Sequence, residues 1–187
     1  MFKAYLQIGL EHILDLQGYD HILFIVTLCA IFFVSQWKQL LILVTAFTVG
    51  HCLTLALSAL SIININAGII EFLIPLTILA TALYNLFRSG HLNMSVHYMM
   101  TLFFGLIHGL GFSNFFKALL GKEESIIQPL LAFNIGVEIG QLIIVAITMA
   151  IAWMVMKVGL TQKYWTRTLS IISAVISLYL ISNSLAG

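Results

Sequence analysis

Residues 38–60 read KQLLILVTAFTVGHCLTLALSAL, an apolar run with one cation at its edge, Lys38, and one imidazole in its body, His51. A helix crossing about 30 Å of hydrocarbon needs about 20 mainly apolar residues, so this run is long enough to span a bilayer. Five further windows of the same kind run approximately over Tyr19–Val34, Gly68–Phe87, Met94–Phe116, Pro129–Met154 and Thr166–Leu185. The composition agrees: 61% of residues are hydrophobic and 8% charged, against about 45–50% and about 25% in ordinary soluble domains. The expected fold is all-α, a polytopic membrane bundle of about six transmembrane helices with a short N-terminal interfacial helix. The chain is read as a single integral membrane domain over 1–187, with the interfacial helix at 1–17 and the transmembrane bundle at 18–187. The lipid bilayer is its expected partner.

A formal net charge of +1 supplies no electrostatic attraction for nucleic acid, and none is expected as a partner. Oligomeric state leaves no signal. Both cysteines, Cys29 and Cys52, fall inside expected spans, which favours inert packing over a disulfide. Cys52 adjoins His51, but neighbours on a helix point about 100° apart, so it is left out of any shared ligand set. The loops after the first, third and fifth spans hold Lys38, Arg88, Lys157, Lys163 and Arg167, against Lys3, Lys117 and Lys122 on the other side, with Glu123 and Glu124 contributing little. The chain is therefore expected in the inner (cytoplasmic) membrane, multi-pass, with both termini on the non-cytoplasmic side.

The first residues do not read as a signal peptide, because Gln7, Glu11 and His12 interrupt the apolar run. Lys3, Gln7, Glu11 and Asp15 form a polar stripe and Phe2, Leu6, Gly9, Ile13 and Leu16 an apolar one, the pattern of an interfacial helix. His12 falls about 120° from the polar stripe, nearer the buried side. Gly18 is expected to end this helix and turn the chain into the membrane at Asp20.

Asp20, His21, His51, His108 and Glu138 sit in apolar stretches with no Lys or Arg inside them. An ionisable side chain near the bilayer centre costs about 2.5–3.5 kcal/mol on insertion scales, so several retained together point to a function that uses them. Imidazoles and carboxylates without fixed cations suit a divalent metal ion, which satisfies both in low dielectric. Depth agrees. With outward termini, Asp20 and His21 begin the first span, His51 lies about two thirds outward along the second, and Glu71 enters early in the third. His108 falls in the outer half of the fourth and Asn134, Glu138 and Gln141 in the outer half of the fifth. Asn134, Glu138 and Gln141 share one helical face at i, i+4 and i+7, as do Thr48 and His51. Gly105, Gly109 and Gly111 around His108 allow close helix approach, and Phe104 and Phe112 are positioned to wall the site.

Blander roles stand beside these. A single intramembrane His commonly hydrogen-bonds another helix, Asp20 fits an N-cap, and Glu71 fits a snorkelling interfacial residue. Glu138 reads equally well as a direct ligand or as a residue that orients the ligands, the role also given to Asn134, Gln141 and Glu71. His91 and His97 lie at the opposite end of the bundle, where surface or interfacial roles are expected.

The strings GLEHILDLQGYDHILF (9–24), FTVGHCLTLALS (47–58), FGLIHGLGF (104–112) and FNIGVEIGQ (133–141) occur in this order. Together they resemble the HupE/UreJ family of small polytopic membrane proteins, associated with nickel supply to hydrogenase and urease, over nearly the whole chain. The resemblance implies six or so helices, His12, Asp20 and His21 as the signature His followed by Asp-His, and a divalent metal, nickel foremost, as cargo.

The expected function is a nickel-type permease whose metal site is built from His12, Asp20, His21, His51 and His108, with His12 as a gate ligand. An inner exit would draw on Tyr84, Asn85, His97 and Thr101, a sparse second tier. The rival class is an intramembrane zinc hydrolase acting on a lipid or lipid-linked ester, with Asp20 or Glu138 as acid/base. A metal-binding accessory subunit without turnover is a third reading.

Overall fold

The computed structural model describes residues 1–88, 93–121 and 125–186; His91, Lys122, Glu123 and Glu124 lie outside the described residues. The elements are α1 (Phe2–Leu14), α2 (Asp20–Cys29), a 3-10 turn (Val34–Gln36), α3 (Trp37–Ala59), α4 (Ala67–Phe87), α5 (Met94–Leu120), α6 (Ile127–Lys157) and α7 (Gln162–Ala186). The described residues contain no strand. Five helices, α3 to α7, are long and apolar enough to cross a membrane, and the chain is a polytopic helical bundle. Its outer wall is apolar as lipid contact requires, with Ile42, Val49, Leu53, Phe103, Ile147 and Val175 exposed.

The expected span Tyr19–Val34 is the exception. Its helix is only 10 residues long, about 15 Å, too short to cross alone. The reason lies in α7: Gln162 Nε2 donates to the carbonyls of Ala30 (3.0 Å) and Phe32 (3.2 Å), and Thr166 Oγ1 donates to Ala30 (2.6 Å). Those side chains take carbonyls that an early helix end would otherwise leave unsatisfied in an apolar setting.

α1 keeps Lys3, Gln7 and Glu11 exposed and buries Tyr5, Gly9 and Ile13. Tyr5 Oη donates to the Leu119 carbonyl at the end of α5 (3.1 Å). The helix ends at Leu14, before Gly18. Asp15 turns extended, and its Oδ1 accepts the Gln17 N–H at 2.8 Å, so a side-chain turn stops the helix where a left-handed glycine was expected.

Glycine sets two close parallel helix contacts. A Cβ on Gly136 of α6 would collide with the Leu6 carbonyl of α1, and one on Gly109 of α5 would collide with Thr54 Oγ1 and the His51 backbone of α3. These contacts bring His12 on α1 and His51 on α3 toward a common centre. α4 packs along α7, with Leu180 and Asn183 of α7 lining the same cavity as Glu71 and Pro75 of α4.

Candidate metal centre

Asp20 and His21 open α2. Asp20 Oδ1 accepts the His21 backbone N–H at 3.0 Å and lies 3.1 Å from His21 Nδ1. With Nδ1–H donated to the carboxylate, His21 presents the Nε2 lone pair, the orientation seen where a carboxylate steers a metal-binding imidazole. Three further histidines converge on it. The His12 ring centroid is 4.5 Å from that of His21 and 5.9 Å from that of His51, and His108 lies 5.0 Å from His21. Two sets of possible ligand atoms each fall within 4.8 Å of one another: His12, His21 and His51, and Asp20, His21 and His108. Metal–nitrogen bonds of about 2.0–2.1 Å put neighbouring ligands of a tetrahedral ion about 3.3 Å apart, so the widest pair in either set has to draw in by as much as about 1.5 Å to close on one ion. His21 belongs to both.

The cluster is buried and under-bonded. His51 and His108 are fully buried, at 0% exposure. His12 Nε2, His21 Nε2, both nitrogens of His51 and His108 Nδ1 are buried without a hydrogen-bond partner. Each unsatisfied buried polar group costs about 1–3 kcal/mol, so several facing one another make a poor structural core and a good cation site. Burial holds the His12 imidazole well below the ordinary histidine range, and His21 and His51 push the same way against Asp20. His12 is therefore neutral, the form that ligates a metal, at physiological pH. Phe112 packs 4.0 Å from His12, Phe47 and Phe24 lie 5.1 and 5.3 Å from His108, and Phe133 stacks on His51 at 6.1 Å. This aromatic wall limits water access from the sides.

Thr77 of α4 is the residue that sequence reasoning missed. Its Oγ1 donates to the Ile74 carbonyl at 2.7 Å and lies 3.0 Å from His108 Nε2. With the hydroxyl proton committed to Ile74, Thr77 accepts from Nε2–H, which leaves His108 Nδ1 as the lone-pair nitrogen. The discoverable signal was periodic: Thr77, Thr81 and Asn85 recur every fourth residue along an otherwise apolar helix.

The residues expected to orient the ligands divide. Thr48 Oγ1 donates to Gln141 Oε1 (2.9 Å), and both side chains are buried. Asn134 donates to the Leu130 carbonyl (2.8 Å), and its own amide oxygen is buried and unpaired. Glu138 lies apart: its Oε1 accepts from Thr45 Oγ1 (2.7 Å) at an exposed position on α3. On α6, Glu138 stands about 60° around the helix from Gln141, enough to move it from the interior to the edge. Glu138→Gln is therefore expected to leave metal affinity within about twofold of wild type, because an amide still accepts from Thr45. Equilibrium dialysis checks this, and a loss beyond tenfold would place the carboxylate at the ion.

Glu71 is exposed at the mouth. A cavity of about 240 Å³ is lined by Asp15, Asp20 and Glu71 together with His12, His21 and His108, and a neighbouring one of about 400 Å³ adds Gln17 and Asn183. Carboxylates at the rim and imidazoles behind them raise the local cation concentration at the opening. Pro75 has no N–H to give the Glu71 carbonyl, which leaves that oxygen for other partners at the same mouth.

Fold and site together define a polytopic membrane protein with a buried cluster of histidines beside Asp20 that opens to one end of the bundle. The chain matches the family model described as HupE / UreJ protein over residues 1–185 and belongs to that family. No curated protein and no solved structure matches it.

Proposed function

We propose that this chain is a permease for a divalent transition-metal ion of the nickel type. The observation that carries the reading is the convergence of buried, unpaired imidazole nitrogens from α1, α2, α3 and α5 behind an acidic mouth. Imidazole with a carboxylate and labile water suits nickel, cobalt, zinc and copper, and affinity alone does not choose among them. Kinship with a family associated with nickel supply favours nickel.

The ion is drawn in past Asp15 and Glu71 and loses water to Asp20 and His21. Because His21 is common to both ligand sets, the ion passes between the Asp20–His108 side and the His12–His51 side by exchanging ligands around one fixed imidazole. No step requires a bare ion in hydrocarbon. The distribution of Lys and Arg supports a mouth on the non-cytoplasmic face, which is the uptake direction.

Purified protein in sealed vesicles is expected to move radiolabelled nickel or cobalt down a gradient. Asp20→Asn is expected to reduce initial uptake at least about tenfold, since the substitution removes the carboxylate that both lines the mouth and steers His21. Intact ion binding with no movement of nickel, cobalt or zinc would overturn the permease and favour a metal-dependent hydrolase.

A further inference from the structure

Resting on the permease reading, we propose that His97, Asn85 and Thr101 form a second, transient ion site in the half of the bundle away from the mouth, reached along the Thr77–Thr81–Asn85 face of α4. The three residues of that face are buried and spaced i, i+4, i+8, so they form one polar row about 12 Å long inside an apolar helix. The row begins at the metal centre, where Thr77 contacts His108. Thr81 Oγ1 donates back to the Thr77 carbonyl (2.9 Å), which leaves its lone pairs turned to the interior. Asn85 Nδ2 donates to the Thr27 carbonyl of α2 (2.8 Å), which directs the amide oxygen to other partners.

At the end of the row stands His97, on the first turn of α5 and 4% exposed. Its Nδ1 lies 3.0 Å from the Asn93 carbonyl, an acceptor only, so Nδ1 carries the proton and Nε2 the lone pair. That Nε2 is buried with no partner. Tyr84 meets the ring edge-on at 4.9 Å and Phe32 at 5.7 Å, which fixes its direction. A cavity of about 10 Å³ lies among His97, Asn85, Thr81, Thr101 and Met100. It is about the size of one water or one desolvated ion.

The ligand chemistry differs from that of the first centre. One imidazole, an amide oxygen, hydroxyls and a thioether are all neutral, and no carboxylate is among them, so a divalent ion is held more weakly. Weak binding beyond a strong site is what onward release requires. The two sites are eleven residues apart on α5, His108 to His97, about 16 Å along the axis.

The test uses full-length protein, cobalt as the probe, and two variants. Asn85→His adds a second imidazole to His97, and it is expected to raise bound cobalt by one ion per chain in equilibrium dialysis while slowing uptake into vesicles. His97→Ala is expected to lower uptake about tenfold and to leave cobalt binding at the first centre unchanged, which also reports a folded protein. No additional cobalt bound by Asn85→His, or wild-type uptake by His97→Ala, would overturn the second site. If wild-type protein moves no cobalt, the permease reading fails by itself, and the dialysis of Asn85→His still decides whether the second site exists.

Discussion

His21→Ala is expected to lower nickel and cobalt affinity by more than about 100-fold, the largest loss of any single ligand substitution. The expectation follows from geometry: His21 is the only residue common to the two ligand sets among the described residues, so its removal leaves only pairs. His12→Ala spares the Asp20–His21–His108 set and His108→Ala spares the His12–His21–His51 set, so each is expected to weaken binding less than His21→Ala. Equilibrium dialysis of the three variants ranks them. An affinity for His21→Ala within about threefold of wild type, well under the effect of losing even an orienting partner, would show that the ion is held elsewhere.

Gly109→Val is expected to weaken metal binding without replacing a ligand. Its side chain has to occupy space held by Thr54 Oγ1 and the His51 backbone, and the backbone cannot swing aside as a rotamer can. Overpacking of this kind costs about 1–3 kcal/mol or more, so a lower melting temperature accompanies the loss. The functional effect comes from direction: α3 is pushed away from α5 at His51, widening ligand distances that need to contract. Trimming Thr54 to Ala beside Gly109→Val is expected to recover only part of the binding, because the His51 main chain remains in the way. Full metal occupancy with an unchanged melting temperature in Gly109→Val would contradict this packing.

Helices α3 to α7 were legible from apolar length, because a long membrane span is a local property of the chain. The short α2 was not legible, because the groups that let it end early, Gln162 and Thr166, stand about 130 residues further on. Gly18 misled for a local reason: the Asx turn at Asp15 acts before it. The clustered histidines could be singled out because imidazoles in an apolar run are conspicuous. Their relative depth followed from counting along antiparallel spans.

What counting could not supply was azimuth. Asn134, Glu138 and Gln141 share a face, yet a shift of about 60° separates Gln141, bonded to buried Thr48, from Glu138, bonded to Thr45 at the edge. Thr77 escaped notice because a threonine in an apolar helix ordinarily bonds back to its own turn. Here it does so and also receives His108.

The central claim, that ligands from separate helices gather on one cation within the bundle, is tested most directly by X-ray absorption on the protein loaded with one equivalent of nickel or cobalt. Outer-shell scattering from at least two imidazoles, reduced by one in His21→Ala, is the expected result. A metal surrounded by water and carboxylate oxygens alone, unchanged by His21→Ala, would contradict it.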